Sequence, residues 1–449
     1  MAVISPVSVS NIVQSNAPSA LDIFSFDIVQ DTSGHVIIRI IIPSQIIDVL
    51  FESAAHTQQK QIKAPGFDFG QAPIEFLKNN YQNSLIEHLK EFLFKYCVIN
   101  IVYRIIRHNA LVIAGEPRIA SIHLMPGCDA IFNLECTTID DITINEWRYL
   151  PFKAPKRKNY KDLDRQVEHF IAEETELCNA KKHLGIQEND WVALSIERTQ
   201  SDGTPLIAGF AQLFWLQISD EQVDNPLRDL LQDQKVGFIG ITQNKGLQDY
   251  FSEQLATDYW YKIIVLDHLP YAYFCLEQFR QHFKIKTKKE LLKKCIEVFS
   301  YRNDISQRRA TVEECLKLLI GKHYFEVPSF VKTRFQEKIL LSIHNSPDYN
   351  VYRTQKEFTS LIQDLAEKAA KESIFVDALA YHEQIQVTPE DVSYYLNFTK
   401  RGRTKEFIYF EPPIHMVEGQ ATLIAQEELI RYCLREKALN YVIYHLTKE

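Results

Sequence analysis

The residues best placed for a specific task are Gly66-Phe67-Asp68-Phe69-Gly70-Gln71-Ala72-Pro73. A chain with only 14 glycines spends two of them here, four apart, and follows them with a proline. Glycine permits positive φ and a tight turn, and proline fixes φ where a following helix starts. With helical patterns on both sides, the stretch is either an ordinary connector or a loop presenting an exposed pair of Phe rings. Covalent chemistry has less support. The eight cysteines, at 97, 128, 136, 178, 275, 295, 315 and 433, include no Cys-x-x-Cys pair, so most are expected as buried free thiols. No two of the 14 histidines stand at His-x-x-x-His spacing, and His268, His282 and His323 are expected to be structural. Gly237-Phe238-Ile239-Gly240 lacks the rest of a nucleotide fingerprint. Neither cofactor nor metal is therefore expected, and any binding activity must run without ATP.

The bulk composition agrees with a binding protein. At 449 residues, roughly two to four domains are expected. A hydrophobic content of 46% with 24% charged residues is globular. The net charge of −8 gives no overall basic footprint, so DNA is not an expected partner. No window of about 20 apolar residues is present, so no membrane span is expected. The amino end lacks a basic region followed by an apolar run, which points to the cytoplasm.

The elements around the loop follow from periodicity. Residues 1–20 form a loose leader. Alternation predicts strands at 23–29 and 36–42, and Ser44 is the expected cap of a helix reaching about Gln61. Helical spacing resumes after Pro73 through Tyr96, and strands are expected at 119–124 and 130–136. Segregated strands and helices make this a small α+β domain, residues 21–138. Residues 139–183 form a linker, with a proline-broken basic run at 151–158, and a connecting helix over 162–182. Between 184 and 268 the period becomes two, with strands near 191–199, 206–218, 235–241 and 259–266. Turns are expected at Ser201-Asp202-Gly203, Asp224-Asn225-Pro226 and Asn244-Lys245-Gly246. From 269 to 449 the pattern is helical: 291–319, 330–343 and 358–385, then a helix opened by Thr388-Pro389-Glu390-Asp391 and a last one over 420–446.

Gly-Phe-x-x-Gly-x-x-Pro between two helices resembles the ribosome-docking loop of trigger factor, the bacterial nascent-chain chaperone, and the domain order is similar over nearly the whole chain. The resemblance implies an α+β multidomain fold: an amino-terminal docking domain, an FKBP-like β-rich insert and an all-α carboxy-terminal domain with extended helical arms. It implies a chaperone that binds nascent or newly made unfolded polypeptides at the ribosome exit tunnel, with docking through Gly66, Phe67, Asp68, Phe69, Gly70, Gln71 and Pro73. Where the family carries Arg and Lys, this chain has Asp68 and Gln71, a change that weakens docking. The insert implies peptidyl-prolyl isomerisation, which needs only an apolar pocket favouring the twisted imide over an uncatalysed barrier of about 18–20 kcal/mol. Its pocket positions correspond to Ile196, Leu227, Tyr250, Leu255 and Tyr261. The family's Asp-Phe pair is here Ser195-Ile196, and its Gly-Phe-Glu turn is Pro226-Leu227-Arg228. Apolar faces with Phe330, Phe335, Phe358, Phe375, Tyr394, Tyr395 and Phe398 are the expected client surface, unless they pack on one another. The alternative is a ribosome-independent holdase or assembly chaperone lacking docking and catalysis. A secreted parvulin-type chaperone fits less well, for want of a signal peptide.

Overall fold

A computed structural model gives the structure of the chain. It describes residues 23–30, 35–139, 142–156, 162–180, 185–219, 226–253, 255–270, 276–298, 306–344, 349–399, 408–414, 416–417 and 420–448. The leader, the basic residues 157–158 and the expected turn residues 224–225 lie outside them. Strands β1 (Ser25–Gln30), β2 (His35–Ile42), β3 (Arg118–His123) and β4 (Ala130–Thr137) form one antiparallel sheet in the order β1-β2-β4-β3. Pleating places alternate side chains on one side, so Val36, Ile38, Ile40 and Ile42 pair with Cys136, Leu134, Phe132 and Ala130 in a single buried face.

Helix α1 (Ser44–Gln61) packs Ile46, Ile47, Leu50, Phe51 and Ala54 into the core beneath that face. Ser44 does not cap it. Pro43 occupies the cap position, and the Ser44 N–H donates to Asp129 Oδ1 at 2.8 Å. In return the Gly127 N–H donates to Asp48 Oδ1 at 2.6 Å. A carboxylate from a turn 85 residues away thus satisfies the helix N-terminus, where negative charge is favoured. After α2 (Ile74–Asn80), α3 (Gln82–Leu93) and α4 (Ile99–His108) run on through a π turn at Phe94–Val98. Tyr96, Cys97 and Val98 are buried in succession there. One face of a regular helix cannot do this, and the burial requires packing on more than one side.

Helix α5 (Leu163–Ala180) connects to a second group of strands: β5 (Trp191–Thr199), β6 (Gln212–Gln217), β7 (Ile239–Thr242) and β8 (Trp260–Leu269). Two short helices lie between them, α6 (Pro226–Leu231) and α7 (Lys245–Phe251). The expected turn at Asn244-Lys245-Gly246 is instead the start of α7, with the Asn244 side chain accepting from the Leu247 N–H. The helical part comprises α8 (Leu276–His282), α9 (Lys288–Val298), α10 (Gln307–Lys322), α11 (Ser329–His344), α12 (Tyr349–Tyr352), α13 (Phe358–His382), α14 (Pro389–Asn397) and α15 (Gln426–Thr447). Thr388 and Asp391 close the expected capping box on α14. The last helix begins later than its pattern suggests. Residues from 416 first make the two-residue strands β9 (Met416–Val417), β10 (Gln420–Ala421) and β11 (Ile424–Ala425), and β11 pairs with β6. The second sheet therefore has five strands in the order β11-β6-β5-β8-β7.

The fold is α+β, as its pattern predicts, but the segments are not separately cored. One core joins the first sheet, α1, α3 and α4 to Val192, Leu194, Ile196 and Tyr261 of the second sheet, and takes in Leu423. The other side of that sheet, with Trp191, Ala193 and Trp215, packs with α5, α9, α14 and α15. A third core holds α10, α11, α13 and α15 together. Helix α15 is buried almost all round, including the charged Glu427, Arg431, Arg435 and Glu436. Arg435 places Nε and Nη2 2.7 Å from the two oxygens of Asp377, and Arg431 Nη2 lies 3.0 Å from Asp377 Oδ2. Glu427 accepts from Arg104 at 3.2 Å and Arg107 at 2.7 Å on α4, and Glu436 accepts from Arg308 on α10. Burial alone would raise the Asp377 pKa, but Arg435 and Arg431 hold it below the usual carboxylate range. Asp377→Ala removes the carboxylate that Arg435 and Arg431 share, leaving Arg431 with Glu116, and is expected to cost about 3–5 kcal/mol, read as a lower urea midpoint. An unchanged midpoint would show that the pair adds nothing to the native state.

Candidate functional site

The Gly-Phe loop is held by a small core of its own. Ala64, Ala72 and Leu77 are buried together, with Ile62, Phe67, Phe76 and Tyr81 packed around them. Gly66 and Gly70 have φ of +84° and +74°, which L side chains rarely adopt. The Gly70 N–H donates to Ile62 O at 3.2 Å, the Gln71 N–H to Asp68 O at 3.0 Å, and Gln59 Nε2 to Ala72 O at 2.7 Å. These bonds return the chain to the end of α1 and leave Asp68, Phe69, Gln71 and Pro73 in solvent. The expected exposed Phe pair is a single ring. Phe67 is half-buried edge-on against Phe76 at 5.0 Å, whereas Phe69 is 62% exposed. Lys60, at the root of the loop, lies 3.4 Å from Asp258 in the insert.

The five residues read as an isomerase pocket do lie together, but as core. Ile196, Leu227, Leu255 and Tyr261 are buried, and Tyr250 packs against the same cluster with its hydroxyl donating to Leu423 O at 3.1 Å. Residues of the amino-terminal segment pack against them. Tyr96 of the π turn reaches the carbonyl oxygens of Ile196 and Phe210, both at 2.8 Å, and its ring lies 5.4 Å from Phe251. His88 on α3 lies between Tyr259 and Ser252. Ser252 Oγ donates to Leu255 O at 2.5 Å, so it accepts from His88 Nδ1 at 2.9 Å, and Nε2 accepts from the Tyr259 hydroxyl at 2.6 Å. Burial, with a smaller contribution from Arg198, lowers the His88 pKa to about 3. Arg198 itself lies 3.1 Å above the Tyr259 ring and donates to Ser53 on α1 at 2.6 Å.

The expected client faces divide in two. Phe375, Tyr395 and Phe398 are fully buried, whereas Phe335, Phe358 and Tyr394 are half-buried and Phe330 is exposed. The larger apolar exposure is on residues the pattern did not single out. Leu341 at 73%, Val351, Tyr352, Leu361 and Leu365 are exposed on the end of α11, on α12 and on the start of α13. Their signal was Ile339-Leu340-Leu341 with Ile343, more consecutive apolar residues than one helical face can bury. Of the histidines read as structural, His268 faces Asp190 at 2.7 Å, His282 meets Asn440 at 3.0 Å and His323 Nδ1 meets Leu319 O at 2.7 Å. Among the described residues no cluster suits a metal ion, and the six described cysteines are free, with Cys128 alone exposed.

Comparison with known proteins agrees with this frame. The family model described as bacterial trigger factor protein matches residues 27–172. The trigger factor of Clostridium botulinum strain Hall is 21% identical over 384 residues, covering 79% of this chain and 85% of the relative. That of Geotalea daltonii is 22% identical over 350 residues, with 74% and 78% covered. The chain is thus similar to trigger factors over most of its length, with the family model matching its amino-terminal third. A solved structure of the trigger factor chaperone aligns over 94% of this chain and 100% of its own at 14% identity, with a TM-score of 0.35. That overlap is too low to transfer its arrangement of parts. Within the family frame, the matched segment contains both the loop and the π turn that plugs the insert.

Two measurements separate the loop's frame from its exposed ring. Leu77→Ala should cost about 2–4 kcal/mol and release the loop to fast amide exchange, whereas Phe69→Ala should stay within about 0.5 kcal/mol of the parent. His88 gives a pH signature. Its folded pKa is depressed, so its contribution is complete above the unfolded value near 6.5 and is lost as pH falls toward 3. His88→Gln should therefore flatten the decline in stability between pH 6.5 and 4, and a parallel decline would place the titration elsewhere.

Proposed function

We propose that this chain is an ATP-independent chaperone of the trigger-factor type, working in the cytoplasm on nascent or newly made unfolded polypeptides. The observation that carries this reading is the apolar tip formed by α11, α12 and the start of α13. Leu341, Val351, Leu361 and Leu365 are exposed there together, on helices whose own seam is closed by Val331, Ile362 and Ala366. A surface of this kind binds extended apolar segments without nucleotide and releases them as they bury themselves. No helix among the described residues is long and apolar enough to cross a membrane.

Ribosome docking through the loop is the finer part of the proposal. Phe69 supplies an apolar contact, but exposed Asp68 and Gln71 stand where the family carries Arg and Lys, and charge-assisted bonds to phosphate or acidic protein are lost. The altered loop favours the second reading, a holdase working away from the ribosome. Proline isomerisation is not part of the proposal for the packed chain, because its pocket positions hold Tyr96 and its neighbours in place of a substrate.

Dilution of a denatured globular protein into the chaperone tests the apolar tip. The parent should suppress light scattering, and Leu341→Asp combined with Leu361→Asp should abolish suppression with no change in melting temperature. Full suppression by the double variant would reject the tip as the binding surface. Co-sedimentation with ribosomes tests docking. Asp68→Arg with Gln71→Lys should tighten binding by about 10- to 100-fold, the weight of regained charge pairs. Equal binding of parent and variant would rule out the loop as the determinant.

A further inference from the structure

A cavity of 370 Å³ lies among the end of α8, α9, α14 and the carboxy-terminal half of α15, away from both the loop and the apolar tip. Its volume falls in the range of small-molecule sites. Two kinds of group line it. Phe283, Tyr394, Tyr441 and Tyr444 supply ring faces and edges; Lys284, Lys294, Arg308 and Lys437 supply cations against a single carboxylate, Asp391. Lys294 pairs with Glu297, Arg308 with Glu436 and Lys437 with Asp391, while Lys284 has no ion pair among the described residues.

Two histidines in the wall report the resulting field. His282 Nε2 accepts from Asn440 Nδ2–H at 3.0 Å. Burial and then Arg308, with Lys437 and Lys294, push its pKa down to about 3 against the pull of Asp391. His445 is shifted down by burial and then by Arg148, Lys448 and Lys284, which outweigh Glu383. Both imidazoles are kept neutral first by burial, so neither adds charge of its own, and only the smaller push from the neighbouring cations would also attract an anion. Flat rings beside cations recognise a flat ring carrying negative charge by stacking and by charge-assisted bonds.

We propose that this cavity binds a small aromatic anion, its ring among Tyr394, Tyr441 and Tyr444 and its carboxylate or phosphate at Lys284 and Lys437. This goes beyond chaperone action, since the cavity is too small for a folded or extended client. Lys284 provides a clean probe. It sits at φ +53° just past the end of α8, where its N–H donates to Gln281 O at 3.2 Å and the Ile285 N–H donates to Arg280 O at 2.8 Å. Glycine suits that position better than any L side chain, so Lys284→Gly removes the charge without straining the backbone.

Calorimetric titration of the full chain at low salt uses N-acetyl-phenylalanine and AMP, with N-acetyl-phenylalaninamide and adenosine as uncharged counterparts. At least one anion should bind saturably and about tenfold or more tighter than its counterpart; which one does so distinguishes carboxylate from phosphate. Lys284→Gly should weaken that binding about tenfold without lowering the melting temperature, and Tyr444→Ala should weaken it by removing a ring. Saturation by neither anion, no preference over the uncharged counterpart, or an unchanged affinity in Lys284→Gly would each overturn the proposal.

Discussion

Burial of both sides of the second sheet is the constraint on which the rest of the molecule depends. Strand β5 alternates its loyalties: Val192, Leu194 and Ile196 enter the core shared with the first sheet, while Trp191 and Ala193 enter the core shared with the helices. A sheet covered on both faces must be apolar on both, and β5 is buried at seven of its nine positions. If either cover were removed, a row of large side chains would face water. At roughly 25 cal/mol per Å² of apolar surface, such exposure is costly enough to hold the three parts together. The pairing of β11 with β6 adds a backbone link to the same arrangement.

The same packing decides what the insert can do. An isomerase pocket is a concavity, and concavities beside aromatic residues fill readily when another aromatic can reach them. The π turn provides one. It breaks the regular period between α3 and α4 so that Tyr96 and Cys97 are buried together, and Tyr96 then finds the Ile196 and Phe210 carbonyls at 2.8 Å. The ring, the hydroxyl and the neighbouring His88–Tyr259–Ser252 chain satisfy groups that an open pocket would leave to water or substrate. Polar satisfaction here is incomplete, since Nε and Nη1 of Arg198 and the Tyr261 hydroxyl have no hydrogen-bond partner among the described residues. The interface therefore relies on apolar area more than on its polar groups.

Legibility followed the range of the interaction. The strands 36–42 and 130–136 show their period within a few residues although they pair at long range. The loop between α1 and α2 and the capping box at Thr388–Asp391 are held by neighbours a few residues away, so the sequence displays all of them. The Asp129 carboxylate that replaces Ser44 as a cap acts from 85 residues off, and no local pattern announces it. β11 was hidden inside an expected helix because two residues are too few to show a period of two, and the strand exists only because β6 offers an edge. Asn244-Lys245-Gly246 carries the residues of a turn, yet Gly246 is buried where a Cβ would lie 2.8 Å from Leu227, so its glycine serves close packing of α6 on α7. The residues read as a pocket lie in one core cluster, and their burial depends in part on a π turn that periodicity reads as plain helix.

Exposed apolar residues are spread along the chain, from Met125 and Tyr149 to Ile239 and Tyr324, and two of the exposures stand out by what supports them. Phe69 at the loop and the Leu341–Leu365 cluster at the ends of α11 and α13 lie on separate parts of the chain, and each stands on a frame that is itself well closed. The loop frame spends two glycines, an internal carbonyl bond and a small core to display one ring. The helical frame closes its seam with small and branched residues, Val331, Ile362 and Ala366, and turns its leucines outward. Rigid support under exposed apolar groups lowers the entropy lost on binding and keeps those groups from collapsing onto their own chain. That combination suits a protein whose partners are other unburied apolar surfaces.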